Sequence, residues 1–203
     1  MTPVIRLFEL GPTRSARCRW TLLEAGLPFE SLGNTPDVIG RDDLRKLHPL
    51  GKLPAATIDG RPLFESAAIS TAIADLAPER ALIAAAGTYE RALHDQWVSF
   101  ALTELDAWAW CAELNSDDFL FPAEQHVAAI LPQNQRLYRA AAEALSDALS
   151  EASYLVGDRF SVTDIIVGYS VRWGEEFGWI DGLTPLADYL DRLRARTHCT
   201  LTG

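Results

Sequence analysis

The feature that most limits the possible folds is a change of period partway along the chain. Up to about Leu76, short β-prone runs alternate with helix-length segments; from about Gly87 onward no convincing strand pattern remains. Strands must find partners, so those of the first third pair with one another, and the remainder must bury its apolar stripes helix against helix. Residues 4–10 read as a strand ended by Gly11-Pro12, and residues 15–26 as a helix with Cys18, Leu22, Leu23 and Leu27 on one buried face. A second strand at 29–32 and a short helix at 42–47 follow. Runs at 55–59 and 62–64 flank Asp59-Gly60, the strongest local hairpin signature in the chain. A third helix covers 66–76. The order βαβαββα gives a small sheet of mixed strand direction, the thioredoxin-like arrangement.

In the second part, helices are expected at 89–114, 133–151, 162–177 and 185–196, with a loop or helix break at 115–122. The fold class is therefore α/β followed by all-α: a thioredoxin-like domain at 1–80, a linker of small residues at 81–87, and a helical-bundle domain at 88–203. A chain of 203 residues has room for both cores.

The net charge of −10 argues against a nucleic-acid partner, although a local cluster of donors can still hold a small anion. Cys18, Cys111 and Cys199 are odd in number and widely spaced, so neither a disulfide framework nor a metal site is expected. The first residues lack a basic segment followed by an apolar one, and no apolar run approaches ~20 residues. These features lead to the expectation of a cytoplasmic protein without a membrane segment.

The chemistry concentrates in Leu50-Gly51-Lys52-Leu53-Pro54 and the later pair Glu65-Ser66. Pro54 precedes the apolar run Ala55-Ala56-Thr57-Ile58. A proline cannot donate to a sheet, so it belongs at a strand entry or a special turn, and a cis bond is a candidate here. Taken singly, each neighbour has a plain reading. Ser66 can be an ordinary helix cap, Glu65 a carboxylate favoured by the helix dipole, Lys52 a solvated loop charge and His48 a turn residue. Their ordered combination is much more specific.

That combination resembles the glutathione-binding core of the cytosolic glutathione S-transferase superfamily, and the α/β-then-helical layout extends the likeness over essentially the whole chain. The resemblance implies a site for glutathione as co-substrate, without a metal. Leu53 before Pro54 would pair main chain to main chain with the cysteinyl unit. Glu65 would take the γ-glutamyl ammonium, and Ser66 with its helix N-terminus the α-carboxylate. Lys52 and the nearby His48 would meet the glycyl carboxylate.

The resemblance also directs attention to Gly11-Pro12-Thr13-Arg14-Ser15-Ala16-Arg17, where relatives place the residue that contacts the sulfur. Aligning Arg17 with the arginine of the first helix in serine-type members puts Thr13 at the catalytic position, with Ser15 as runner-up. Glu9 stands where some relatives carry an aromatic hydroxyl. Lowering a thiol pKa of ~8.5 by about two units takes roughly 2.7 kcal/mol. A helix N-terminus gives ~0.3–1 kcal/mol, and a hydroxyl bonded to the thiolate could add ~1.5–3 kcal/mol. Arg14 is left with two readings, a supporting cation or a contact to the second substrate. Cys18, a turn into the helix on its apolar face, reads as structural.

Trp97, Ala101, Glu104, Trp108 and Cys111 recur at helical spacing, and Trp108 is the expected wall of the electrophile pocket. Ser161 with Asp164 three residues on forms a capping box with Asp in place of Glu, similar to the box in the helical domain of the family. The leading function is conjugation of the glutathione thiolate to a small apolar electrophile, with peroxide reduction as a related use, in a homodimer. The alternative is a non-catalytic binding or scaffold module of the same fold. An unrelated thioredoxin-like redox role is disfavoured by the absence of a CxxC pair.

Overall fold

The computed structural model describes residues 2–201. Strand β1 (Ile5–Glu9) buries Leu7 and Phe8 on opposite faces, as a strand covered on both sides must. β2 (Glu30–Gly33) pairs parallel with it, Leu7 opposite Ser31. β3 (Ala55–Ile58) runs antiparallel on its other side, Leu7 opposite Ala56, and β4 (Arg61–Phe64) closes the sheet in the order β2-β1-β3-β4. Asp59 and Gly60 both have positive φ, 50° and 77°, which a two-residue hairpin turn requires. Pro62 is tolerated in β4 because that strand is an edge. This is the mixed four-stranded thioredoxin-like sheet expected from the sequence.

Helices α1 (Ser15–Ala25) and α3 (Ser66–Asp75) pack together over one core, where Leu7, Cys18, Leu22, Ile69 and Ile73 meet. Short α2 (Asp42–Leu47) seals a second cluster of Phe8, Val38, Leu44 and Ala55. Cys18 is fully buried, and burial pushes its thiol up to about 12, which leaves it an inert packing residue.

The helical part comprises α4 (Tyr89–Phe100), α5 (Ala107–Glu113), α6 (Leu131–Ser150), α7 (Val162–Glu176) and α8 (Thr184–Arg194). It has its own core, with Leu105, Tyr138, Leu145, Ile165 and Tyr189, yet Trp20 of α1 inserts into it, so the two parts share side chains. The helices of α7 and α6 approach closely where a Cβ on Gly174 would run into the ring of Tyr138. That hydroxyl donates to the Ser170 carbonyl at 2.7 Å.

One expectation needs correction. The helix expected at 89–114 is interrupted: Ala101–Asp106 is a π-helical stretch between α4 and α5. A π turn accommodates an extra residue and rotates everything after it relative to an uninterrupted α-helix. The expected common face of Trp97 to Cys111 is therefore broken: Trp97, Ala101 and Trp108 contact the helical core while Glu104 is exposed.

Two polar devices hold the parts together. At the start of α7, Ser161 Oγ accepts from the Thr163 N–H at 3.2 Å, and Asp164 Oδ2 accepts from the Ser161 N–H at 2.8 Å, completing the capping box. Asp164 is also bonded by the Leu155 N–H and the Tyr189 hydroxyl. Deeper, the Arg17 guanidinium grips Asp106 through two bonds of 2.9 and 3.0 Å. It also donates to Ser66 Oγ, Ser170 Oγ and the Ile166 carbonyl. Burial pushes the Asp106 carboxyl up, but the charge and hydrogen bonds of Arg17, with Arg14 behind, bring it below the ordinary value of 3.8.

Ser161→Ala is expected to destabilise the fold by ~0.5–2 kcal/mol, read from the urea midpoint. Because the native Asp106 pKa is depressed, its contribution is present above pH 3.8 and is lost as pH falls through the lower native value. Asp106→Asn strands the buried Arg17 charge and should cost about 3–5 kcal/mol at neutral pH. Urea titrations at successive pH values should show the variant less stable at neutrality and with a shallower acid limb.

Candidate functional site

The site grows from the chain just before β3. His48 follows α2, its Nδ1 accepts from the Leu50 N–H at 3.0 Å, and its ring lies 5.0 Å from that of Phe64. As an acceptor, Nδ1 carries no proton, which leaves Nε2 as the donor. Gly51 makes the turn at φ 62°. The Leu53–Pro54 bond is cis, as expected, and Gly11–Pro12 is a second cis bond. The β1–β3 ladder ends at Ala55, so the Leu53 backbone lies outside it.

At the end of β4, Glu65 adopts φ 71° and ψ 119°, a conformation that side-chain-bearing residues avoid at a cost of order 1–3 kcal/mol. Ser66 then opens α3, buried, with its hydroxyl accepting from Arg17. These segments meet the helical part across a cleft with two adjoining chambers. The smaller, about 280 Å³, is bounded by His48, Lys52, Leu53, Pro54, Glu65 and Ser66 on one side and by Asp106 and Trp110 on the other. The larger, about 550 Å³, has aromatic and apolar walls from Trp110, Trp173, Tyr169, Phe119 and Leu120, and includes Thr13. Arg14, Lys52, Leu53 and Trp110 border both.

The charges are arranged for anions in the small chamber. Lys52 has no ion-pair partner among the described residues, and its Nζ stands 5.9 Å from the Trp110 ring centroid. Arg14 stacks on Trp173 at 4.6 Å and Trp110 at 5.1 Å, with Nε 3.3 Å from Asp106. Glu65 supplies the exposed carboxylate opposite.

Two expected site residues stand elsewhere. Ser15 is 1% exposed and borders neither chamber; its Oγ accepts from the Leu10 N–H and lies 2.9 Å from Thr13 Oγ1. It braces the loop from within. Trp108 also borders neither chamber and packs against the helical core, while Trp110 forms the wall. The π-helical stretch is the reason, because it turns α5 away from the register counted from Trp97. Thr13 does face the large chamber, although its hydroxyl donates to the Leu10 carbonyl at 2.5 Å. Glu9 is buried in an ion pair with Arg19 and does not border the cleft. Asp106 was not foreseen; an acidic residue inside an apolar helix was the one available hint.

Among the described residues, no group of three or more His, Cys, Asp or Glu is placed to hold a metal, and no helix is long and apolar enough to cross a membrane. The profile of the glutathione S-transferase N-terminal domain family matches residues 13–76. An elongation factor 1-gamma of Prunus avium is 32% identical over 132 residues, covering 64% of this chain but only 29% of that protein. Glutathione S-transferase GstA of Escherichia coli O157:H7 is 26% identical over 157 residues, covering 76% of this chain and 74% of its own. The solved ternary complex of BphK, a bacterial glutathione transferase, superposes with a TM-score of 0.85 at 25% identity over 97% of both chains. Residues 13–76 thus match the glutathione S-transferase N-terminal domain family, and nearly the whole chain has the fold of a bacterial glutathione transferase.

Proposed function

We propose that the protein binds glutathione in the small chamber and stabilises its thiolate for attack on an apolar electrophile held in the large one. The observation that carries this reading is the convergence of Lys52, Leu53, Glu65 and Ser66 on one chamber that opens onto an aromatic second chamber. The glycyl carboxylate meets Lys52 and the Nε2 donor of His48. The cysteinyl backbone pairs with Leu53, the γ-glutamyl ammonium with Glu65, and its carboxylate with the α3 N-terminus at Ser66.

Thr13 contacts the sulfur in this reading, since Ser15 is sealed from the cleft. On binding, the Thr13 hydroxyl exchanges the Leu10 carbonyl for a thiolate, a charged acceptor and thus the stronger partner. Arg14, held over Trp110 and Trp173, adds positive charge at the boundary between chambers. Conjugation in a detoxifying role, with glutathione-dependent peroxide reduction as a side use, fits a thiolate facing an apolar chamber. Cytoplasmic location and a homodimer complete the proposal.

A second reading has its own support. The hydrogen bond from Thr13 to Leu10 occupies the hydroxyl that catalysis would need. Several relatives carry the name elongation factor 1-gamma, which speaks of translation and not of glutathione chemistry. A glutathione transferase-like module without catalysis would keep the fold and lose the sulfur contact.

Calorimetry with glutathione, combined with thiolate absorbance across pH, separates the two. The catalytic reading expects binding with a thiol pKa below the free value; binding without that shift favours the module. Thr13→Ala should raise the bound thiol pKa and lower kcat/KM by about 1.5–3 kcal/mol, roughly 10- to 150-fold. Glu65→Gln should weaken glutathione by a similar factor through the lost charge-assisted bond, visible as a larger calorimetric Kd with an unaltered melting temperature.

A further inference from the structure

The large chamber contains a carboxyl group for which glutathione binding has no use. Glu113, the last residue of α5, is half-buried and borders the chamber together with Thr13 and Trp110. Among the described residues most of the charged groups around it are engaged, Lys52 being without an ion pair. Asp106 is held by Arg17 and Arg14. Glu176, on α7, is paired with Arg172 at 2.8 Å. Asp117 accepts from the Phe119 N–H at 2.8 Å. Among the described residues the Glu113 carboxyl has neither a hydrogen bond nor an ion pair.

A cationic substrate is a poor explanation, because Arg14, Lys52 and Arg172 border the same chamber. A proton is a better one. Burial pushes the Glu113 carboxyl above its ordinary range; Arg14 and Arg172 oppose the shift, while Asp117 and Glu176 add to it. A general acid works best when its pKa approaches the working pH.

Resting on the glutathione reading of the cleft, we infer that Glu113 is the general acid of the reaction and that the preferred electrophile expels oxygen, as an epoxide does. The thiolate sulfur forms a bond to an epoxide carbon, and the C–O bond at that carbon breaks with its electron pair going to oxygen. The oxygen takes the Glu113 proton, giving a hydroxy thioether. The carboxylate regains a proton from water, so the step needs no oxidant or reductant. A halide leaving group requires no such proton, whereas an alkoxide is about as basic as hydroxide, whose conjugate acid has pKa ~15.7. The acid therefore distinguishes oxygen-expelling from halide-expelling substrates.

The test compares styrene oxide with chlorodinitrobenzene in the intact protein, its Glu113→Gln and Glu113→Asp variants, and glutathione calorimetry on each. Glu113→Gln is expected to lower the ratio of kcat on the epoxide to kcat on the halide by about 100-fold or more, with Glu113→Asp recovering part of it. The wild-type epoxide rate should fall on the alkaline side as Glu113 ionises, a limb absent in Glu113→Gln. An unchanged ratio, a loss confined to KM, or a wild type that conjugates the halide but not the epoxide overturns the inference while leaving the glutathione site standing. A wild type that binds no glutathione overturns both.

Discussion

The cleft depends on one buried ion pair. Arg17 and Asp106 lie far apart in the chain, and both are removed from water in the space between the sheet part and the helical part. Either charge alone there would be strongly unfavourable, so each residue fixes the position of the other. The remaining donors of the same guanidinium reach Ser66 at the start of α3 and Ser170 and the Ile166 carbonyl in α7. The Tyr169 ring lies 4.7 Å from the guanidinium, and its hydroxyl reaches the Pro12 carbonyl. The loop before α1, the start of α3 and the π-helical stretch are thereby set relative to one another, and these are the walls of the cleft. A buried pair of this kind is weak as a source of net stability; what it contributes here is a single permitted docking of the two parts.

From that docking follows the division of the cleft. The small chamber collects polar groups from the ends of secondary-structure elements: Lys52 and Leu53 before β3, and Glu65 and Ser66 at the start of α3. The large chamber is walled by aromatic rings from α5 and α7. Arg14 lies at their junction between two tryptophan rings, with its Nε turned to Asp106, so the anchor of the fold also positions a charge in the site. The backbone strain at Glu65 is located in the same place, where a helix must begin and present a carboxylate at once.

Much of this was legible in short stretches of sequence. The βαβαββα order, the Asp59-Gly60 hairpin, the cis Pro54 and the Ser161–Asp164 box depend on interactions spanning a few residues, and all four are present. His48, Lys52, Leu53, Pro54, Glu65 and Ser66, singled out from the sequence, line one chamber because their segments enter the cleft through local turns. Counting along the helix of residues 89–114 failed, because an inserted π turn leaves no mark in the hydrophobic period before it occurs; the wall therefore belongs to Trp110 and not Trp108. Ser15 and Thr13 could not be separated from the sequence, as both hydroxyls sit at a helix start.

The sequence by itself determined which elements form and which polar residues stand at their ends, because capping, turn formation and periodicity act between near neighbours. Only the tertiary structure decided which hydroxyl faces the cleft, which tryptophan walls it, that Asp106 answers Arg17, and that Glu113 borders the large chamber. Each of those outcomes is a matter of the direction in which a side chain points once two parts have docked. That direction is fixed by burial and by charge pairing between residues far apart in the chain, for which no local pattern exists.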